Sequence, residues 1–436
     1  MSYEWEKIRL GDVSKVITDK IEISEINKKN YISTENMLPN FEGVVPASTI
    51  PNAKKVNAFR AKDILFSNIR TYFKKVWYAT MDGGCSADVL VFRPKNSAID
   101  NQFLSYVLKN EKFISYTVTT SKGTKMPRGD KKAIMNYQFY KPNLIDQQKI
   151  TYILSTLDDK IELNKKINQT LESIAQAIFK SWFVDFDPVH AKANAQSEDE
   201  YDAIAKELGI SREILDLFPS EFEESELGLI PKGWKVKNIQ NIISVKDGTH
   251  DSPKPKKIGF PLITSKHIKN GVIDLASPNL ISEEDFNKVN KRSKVEKNDI
   301  LIGMIGTVGD LYFVSNDEIN FAIKNIGLFK TSENEFLSEY IFYWLKSNKI
   351  RDYILTRLAG TTQKYISLTE LRKIPLLCPP KLIIFQFKVC SKNFFELKKC
   401  KNIESQAISE VRNRILPKLL SGEVEVSALN LEPEND

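Results

Sequence analysis

The chain has 436 residues, 42% of them hydrophobic, and a formal net charge of +7. This length exceeds what one ordinary hydrophobic core holds, and the apolar content excludes a wholly disordered chain, so we expect two or more folded domains. No apolar run is long enough to span a bilayer, and the N-terminal MSYEWEKIRL has no signal-peptide pattern, so we expect a cytoplasmic protein without membrane segments.

The chain contains an internal duplication. A first block begins with WEKIRLGDV at Trp5, and WKVKNIQNI at Trp234 begins a second. The triplet Asp-Ile-Leu at Asp63 recurs at Asp299, and FLSYVLKN in the first block recurs as FLSEYIFYWLKSN in the second. Because these landmarks keep a nearly constant spacing, each block is one copy of a repeated unit. Short Val/Ile/Leu/Phe runs predict strands and the FLS segments predict helices, so the fold class is mixed α/β (α+β).

A long amphipathic helix follows each block. Steps of alternately four and three residues from Ile150 and from Ile383 give a largely apolar stripe, the pattern of a coiled-coil seam. We expect the two helices to form an antiparallel coiled coil in which Asn164 lies near Glu404, although two ordinary buried helices would give a similar pattern. The predicted seam residues are Ile150, Leu154, Leu157, Ile161, Leu171, Ile178, Trp182, Phe387, Phe394, Leu397, Ile408, Val411 and Ile415.

Charge is distributed unevenly between these parts. Residues 1–145 carry a net charge of +9 and residues 231–382 carry +8, whereas residues 186–230 carry −9. Two basic blocks predict two contacts with a polyanion, and the acidic segment is expected to be a mobile connector that lies away from it. The predicted parts are 1–147 (first block), 148–185 (first long helix), 186–230 (acidic linker), 231–381 (second block), 382–422 (second long helix) and 423–436 (a tail, partly disordered).

Basic, loop-like segments are the best candidates for binding a polyanion. The segment SKGTKMPRGDKK combines Gly, Ser and Thr, which let backbone amides approach a phosphate, with five cations, and AGTTQKYIS is its counterpart in the second block. Gln can form a bidentate contact with adenine, and Arg or Lys with guanine. A solvated loop is the alternative for each segment. The candidate DNA-binding residues are Asn68, Arg70, Tyr72, Lys74, Lys122, Lys125, Arg128, Lys131, Lys132, Lys266, His267, Lys269, Thr361, Thr362, Gln363 and Lys364.

Catalytic signatures are missing from the sequence. There is no GxxxxGK[ST] phosphate loop, no GxSxG elbow and no HExxH pair, and the four cysteines and three histidines form no metal-binding spacing. We therefore expect no catalytic residue, no metal, no disulfide and no cofactor on this chain. Two other classes stay open: a coiled-coil scaffold without DNA binding, which the two basic blocks disfavour, and a methyltransferase-related enzyme with its own active site, which the missing motifs disfavour.

The segment DDKIELNKKINQTLESIAQAIFKSWFVDFDPV at 158–189 and the ending ILPKLLSGEVEV at 415–426 resemble the specificity subunit of type I restriction–modification enzymes. The resemblance covers almost the whole chain. It implies two tandem target recognition domains, each recognising half of a bipartite, asymmetric site in double-stranded DNA, related by a pseudo-two-fold repeat and spaced by an antiparallel coiled coil. It also implies two methyltransferase subunits, which carry S-adenosylmethionine, and two restriction subunits, which carry ATP and Mg, in a bacterial or archaeal cytoplasm.

Overall fold

The computed structural model of the chain describes residues 5–195, 197–269, 271–275 and 277–427. The chain divides into two compact units: residues 1–165 with 402–436 form the first unit, and residues 166–401 form the second. Each unit contains one of the predicted blocks together with a stretch of each long helix. The predicted duplication therefore corresponds to two folded bodies, each with its own core.

The elements of the first block lead into a long helix. Its strands are β1 Glu6–Arg9, β2 Ser14–Ile17, β3 Lys20–Glu22, β4 Tyr31–Ile32, β5 Lys55–Phe59, β6 Ile64–Ser67, β7 Val76–Tyr78, β8 Gly83–Cys85, β9 Val89–Pro94 and β10 Gln138–Lys141. Its helices are α1 Leu10–Val13, α2 Asn101–Lys109, α3 Glu111–Thr119 and α4 Lys131–Met135, followed by the long helix α5 Leu144–Phe183.

The second half of the chain repeats this order after a helical segment. That segment holds α6 Asp187–Asn194, α7 Glu198–Glu207, α8 Arg212–Asp216, β11 Phe222–Ser225 and β12 Gly228–Pro231. The second block has β13 Lys235–Asn238, β14 Val245–Asp247, β15 Phe260–Ile263, β16 Ile268–Lys269, β17 Val272–Ile273, β18 Leu280–Ile281, β19 Ile300–Gly303, β20 Leu311–Phe313, β21 Ala322–Ile323, β22 Ile326–Phe329 and β23 Pro375–Cys378. Its helices are α9 Glu283–Ser293, α10 Ser338–Lys346, α11 Asn348–Thr356 and α12 Leu368–Arg372, and the long helix α13 Lys381–Ser421 follows.

A four-stranded antiparallel sheet forms the centre of each block. Its strand order is β2-β9-β6-β7 in the first block and β14-β22-β19-β20 in the second. In the central strand β6, Ile64 and Phe66 pack in one core cluster with residues of α2 and α3, whereas Leu65 packs in another with Ile32 and Phe59. Successive side chains of a strand point to opposite faces, so the run ILFS is buried at every position because both faces of the sheet are covered.

The Asp of the repeated Asp-Ile-Leu triplet directly precedes the equivalent strand in each block and forms a buried ion pair. The Asp63 carboxylate accepts from both the Nε and the Nη2 of Arg93 at 2.7 Å, and Asp299 lies 2.7 Å from the Nζ of Lys330. Removing one partner of such a buried pair leaves an uncompensated charge, which costs about 3–5 kcal/mol. The sequence repeat is therefore also a repeat of the same stabilising contact.

The two long helices pack antiparallel in the first unit. Asn164 of α5 is fully buried and donates through Nδ2 to Oε2 of Glu404 at 3.0 Å and to Oγ of Ser405 at 3.2 Å. Nearer the start of α5, Asp158 accepts from Nη1 of Arg412 at 2.6 Å and from the hydroxyl of Tyr106 at 2.9 Å. As residue numbers fall along α5 they rise along α13, which confirms the predicted antiparallel pairing near Asn164. Asp158 is thus bound between helices and is not a solvated surface carboxylate.

The second unit contains the other ends of the same helices, again antiparallel. Phe179, Trp182 and Phe183 of α5 pack around Phe387 of α13, with ring centroids 5.4 to 6.4 Å apart. Glu172 of α5 forms ion pairs with Lys346 of α10 and with Lys398 of α13. Burial alone would raise the pKa of Glu172, but the two ammonium groups lower it to about 2. In each unit, a carboxylate of α5 (Asp158 in the first, Glu172 in the second) therefore contacts both the block and α13.

The predicted seam needs a correction on α13. Leu397 is 41% exposed and Val411 is 50% exposed, while their neighbours Lys398 and Arg412 make the contacts described above. A strict seven-residue walk drifts by about 20° per heptad on a straight α-helix, so from Ile383 the drift is about 40° at Leu397 and about 80° at Val411, compared with the 100° between neighbouring residues. The prediction was therefore wrong by one position at Leu397 and Val411.

Two expectations about flexible segments also change. Between 186 and 230, Phe186, Val189, Phe218 and Ile230 are buried in the main core of the second unit, so this acidic segment is an integral part of that unit and not a mobile connector. In the predicted tail, Val426 is buried in the core of the first unit, and residues 428–436 lie outside the described part of the chain. Across the described residues, no helix is long and apolar enough to cross a membrane.

Candidate nucleic-acid interface

In the first block, a tight hairpin lies against the end of the central sheet. Lys122 and Arg128 close the hairpin through two reciprocal backbone hydrogen bonds of 2.9 Å. The amide of Arg70, in the turn that follows β6, donates to the carbonyl of Pro127 at 2.8 Å, and the amide of Gly129 donates to the carbonyl of Asn68 at 3.0 Å. These bonds bring the segments 68–75 and 121–132 together, although many residues separate them in the sequence.

The second block repeats this arrangement bond for bond. Ala359 and Tyr365 form the two reciprocal bonds, both 2.9 Å, and the amide of Gly306 donates to the carbonyl of Lys364 at 3.1 Å. The hairpin glycines adopt the same left-handed backbone, with φ of 93° at Gly123 and 89° at Gly360. The segment 359–367 is therefore the structural counterpart of 121–132, as predicted, and both hairpins lie at the same end of equivalent sheets.

The cations of the first block fall into two groups. Lys122 pairs with Asp130, Arg128 with Asp88 at 3.1 Å, and Lys74 with Glu111. The pKa of Asp130 is lowered, first by the hydrogen bond from Lys122 and then by hydrogen bonds from two backbone amides at the start of α4. Within the described residues, the cations at this sheet end that form no ion pair with a carboxylate include Lys125, Lys131 and Lys132. The charge of these three lysines is available to a polyanion.

Two predicted residues are buried. Asn68 is buried, and its backbone amide and carbonyl bond to Asp88 and Gly129, so it supports the turn. His267 is only 6% exposed, and its Nδ1 accepts from the amide of Thr264 at 2.9 Å. Burial and then the neighbouring Lys266 lower the pKa of His267. The imidazole of His267 therefore supports its loop from inside and is not exposed with the other candidates.

The remaining candidates of the second block are exposed around its hairpin. Ser265 links the segments, because its Oγ accepts from the amides of Met304 and Ile305 at 3.1 and 3.3 Å and donates to the carbonyl of Asn325 at 3.1 Å. The candidates thereby joined at one end of the sheet are Lys266, Lys269, Thr361, Thr362, Gln363 and Lys364, all exposed.

Sequence reasoning missed several residues of this surface. Asp130 caps the start of α4, because its carboxylate accepts hydrogen bonds from the amides of Lys132 and Ala133. Asp is a preferred residue at this position, so the sequence could have indicated this role. His250, by contrast, hydrogen-bonds through its two ring nitrogens to the side chains of Asn325 at 2.7 Å and Asp247 at 3.0 Å. Asp247 and His250 are close in sequence, but only the folded chain brings Asn325 to them. No local pattern could therefore have indicated this cluster.

The described residues contain no group of three or more His, Cys, Asp or Glu side chains arranged to hold a metal ion. The cysteines Cys85, Cys378, Cys390 and Cys400 are all free thiols. The surface at the sheet ends presents amides, hydroxyls, cations and aromatic rings, together with carboxylates such as Asp88 and Asp130 that pair with some of the cations. These groups can bind phosphates and base edges, which is a recognition chemistry.

Comparison with known proteins identifies the family to which the chain is related. The family model described as "Type I restriction modification DNA specificity domain" matches residues 3–173 and 231–412. The chain is similar to the type I restriction enzyme HindI specificity subunit of Haemophilus influenzae, with 28% identity over 97% of this chain and 100% of the relative. It is also similar to the MjaIX specificity subunit of Methanocaldococcus jannaschii, with 25% identity over 77% of this chain and 72% of the relative.

A solved structure supports the fold. The crystal structure of the S subunit of a type I restriction–modification system from M. genitalium matches with a TM-score of 0.50 and 15% identity, over 96% of each chain. At this identity the likeness concerns the fold alone. The family model, by contrast, matches both blocks and most of the two long helices. The chain belongs to the family of type I restriction–modification DNA specificity proteins.

Proposed function

We propose that each block of this DNA specificity subunit recognises one half of a bipartite, asymmetric site in double-stranded DNA. The observation that carries the proposal is the pair of equivalent hairpins, 121–128 and 358–365, fixed by the same backbone bonds at the same end of equivalent sheets. Their backbones are alike while their side chains differ: the first hairpin has three cations, whereas the second has Thr361, Thr362 and Gln363 with one cation, Lys364. Two like frames with different side chains suit recognition of two different half-sites.

The long helices are proposed to set the length of unrecognised DNA between the half-sites and to dock the methyltransferase subunits. Apolar side chains on the outer face of α13 support docking: Leu382, Phe385 and Val389 are exposed in the second unit, and Ile403 and Val411 in the first. Exposed apolar rows on a helix that already has a partner mark a protein interface. The repeat offers such a row in each unit, which suits two copies of one partner.

The catalytic steps are proposed to belong to partner subunits. Two methyltransferase subunits would carry S-adenosylmethionine, and two restriction subunits would carry ATP and Mg, while this chain acts without a cofactor in the cytoplasm of a bacterial or archaeal cell. The names of the relatives, which are specificity subunits of restriction enzymes, support this division. A methylation assay on the purified chain alone is expected to give no product.

Exchange of one block tests the proposal. Residues 231–380 are replaced by the same block of another family member, the chain is co-expressed with its methyltransferase subunit, and methylated sites are mapped by sequencing. We expect one half-site to change and the other to be retained, because each block has its own core. A simultaneous change of both half-sites would show that the blocks do not recognise DNA independently.

A further inference from the structure

The turn after β6 exposes two neighbouring aromatic rings. Tyr72 is 48% exposed and Phe73 is 40% exposed, and their ring centroids lie 4.7 Å apart. A single exposed apolar side chain is ordinary. Two adjacent aromatic rings exposed at the tip of a turn stabilise the fold little, and they are suited to bind another molecule. The pair lies at the end of the central sheet, on the segment that contacts the cationic hairpin.

The backbone of this turn is strained and held in place. Arg70 and Lys74, on either side of the aromatic pair, have left-handed φ angles of 49° and 56°. Such a conformation costs about 1–2 kcal/mol for a residue with a side chain and persists only when surrounding contacts impose it.

Hydrogen bonds from two directions impose it here. The amide of Arg70 donates to the carbonyl of Pro127 at 2.8 Å, on the hairpin side. On the other side, the carbonyl of Phe73 accepts from the amide of Asn40 at 3.0 Å, and that of Lys74 accepts from the amide of Phe41 at 2.9 Å. The backbone of the turn is therefore held on both sides, and it places the two rings at the surface before any ligand binds.

Charge around the rings indicates the kind of ligand. Lys75 places its Nζ 5.8 Å from the centroid of the Phe73 ring, and Arg70 donates to the carbonyl of Lys125 on the adjacent hairpin at 3.5 Å. An apolar tip inside a cationic surface fits a ligand that is anionic outside and apolar within. Duplex DNA has this combination, with phosphates along its backbone and apolar base faces between them.

We propose that Tyr72 and Phe73 form an apolar wedge that inserts at a base step of the half-site bound by the first block. The inference rests on the proposed DNA recognition, and it adds an apolar contact with the faces of the bases to the polar contacts that the cations make. The equivalent turn of the second block, between Gly306 and Asp310, has the sequence Gly-Thr-Val-Gly-Asp and carries no aromatic ring. The wedge therefore makes the two blocks differ in how they deform DNA, with local unstacking only at the first half-site.

The test compares variants of the complete chain in complex with its methyltransferase subunit. Tyr72→Ala with Phe73→Ala removes the wedge, Phe73→Leu retains an apolar side chain, and Tyr140→Ala removes an exposed aromatic ring on β10, away from the turn. DNA affinity is measured over a range of salt concentrations, on duplexes that contain the mapped site. In the same duplexes, 2-aminopurine replaces single bases other than the base that is methylated and reports unstacking by its fluorescence.

The double variant is expected to lose affinity by roughly tenfold or more at every salt concentration, since base–aromatic contacts are worth that much on alanine substitution and involve no ion release. In the double variant, the increase in fluorescence at one base step of the first half-site should vanish. Phe73→Leu should give values between those of wild type and the double variant, and Tyr140→Ala should behave as wild type. Unchanged affinity and fluorescence in the double variant would overturn the proposed wedge. Loss of the methyltransferase subunit from the complex would also overturn it, because that result would assign the rings to a protein interface. If the wild-type complex bound no DNA specifically, the proposed function itself would fail, which is a separate outcome.

Discussion

Arg412 on α13 lies 2.6 Å from the carboxylate of Asp158 on α5, and the same carboxylate accepts a hydrogen bond from Tyr106 of the first block. In the second unit, Glu172 has the corresponding role with Lys398 and Lys346. Each carboxylate is partly buried among cations, so each joins a block to the helix pair through charge as well as through apolar packing.

The pKa of Glu172 predicts a specific pH dependence of stability. Because its folded pKa is about 2 and its ordinary value is 4.5, the carboxylate stabilises the fold fully above pH 4.5, and this contribution is lost as pH falls towards 2. The contribution is at most about 3.5 kcal/mol, since each pKa unit corresponds to about 1.4 kcal/mol. We expect Glu172→Gln to be less stable than wild type at pH 7 and to approach it near pH 2–3, as measured by urea unfolding. A constant difference between the two proteins from pH 7 to pH 3 would contradict this role.

The unpaired cations at the first sheet end predict a change in salt dependence. Replacing Lys125, Lys131 and Lys132 with Ala should weaken DNA binding and reduce the logarithmic salt slope by about one for each phosphate that the variant no longer neutralises. The control triple variant replaces Lys7, Lys15 and Lys95, which are exposed on other parts of the same block, and should keep the slope. Equal slopes in both variants would place this surface away from the phosphates.

The paired cations should behave differently from the unpaired ones. Lys122 and Arg128 already bind Asp130 and Asp88, so part of their charge is neutralised before DNA arrives. Replacing Lys122 and Arg128 with Ala is therefore expected to reduce the salt slope by less than replacing Lys125 and Lys131. Filter binding or fluorescence anisotropy over a salt series measures both slopes, and a larger effect of the paired residues would contradict the assignment.

Gln363 predicts base specificity at the second half-site. It is exposed on the hairpin of the second block, where its amide could form the bidentate contact that Gln makes with adenine. Gln363→Ala should reduce discrimination at one base position by about 1–3 kcal/mol and leave the first half-site unchanged. Sequencing of methylated sites checks this, with Gln138→Ala, an exposed Gln on β10, as the control. Retained preference at every position of the second half-site would rule out a base contact by Gln363.

The length of the helix pair predicts the length of the gap in the DNA site. Four residues inserted after Lys166 lengthen α5 by about 6 Å, and duplex DNA rises roughly 3.4 Å per base pair, so the gap should grow by one or two base pairs. Four residues turn the helix by about 400°, which a coiled coil tolerates, whereas one or two residues would rotate the seam away from its partner.

The pairing of Asn164 with Glu404 and Ser405 indicates where a matching insertion in α13 belongs, just before Asn402. The doubly inserted chain, expressed with its methyltransferase subunit, should methylate sites with both half-sites retained and a longer gap. An active complex with the original gap would show that the helices do not determine the spacing.

The sequence alone was enough for the features that repeat or follow a regular period. The duplication, the two long helices and the equivalence of the segments around Gly123 and Gly360 are all confirmed, since apolar periodicity and turn residues act locally and the same local signals occur twice. The family resemblance rested on residues 158–189 and 415–426, which include parts of the two long helices. Even the error at Leu397 and Val411 was one of period, because a seven-residue repeat and a 3.6-residue helix diverge over several turns.

The tertiary structure decided which side chains of these segments are available. It buried His267 beneath its loop, paired Lys122 and Arg128 with carboxylates, and fixed Tyr72 and Phe73 on a strained turn. It also packed the acidic segment around Phe186 and Phe218 into the second core, against the expectation from its charge. Burial and ion pairing depend on residues distant in sequence, so the free energy that selects these arrangements belongs to the folded chain and cannot be read from any local stretch.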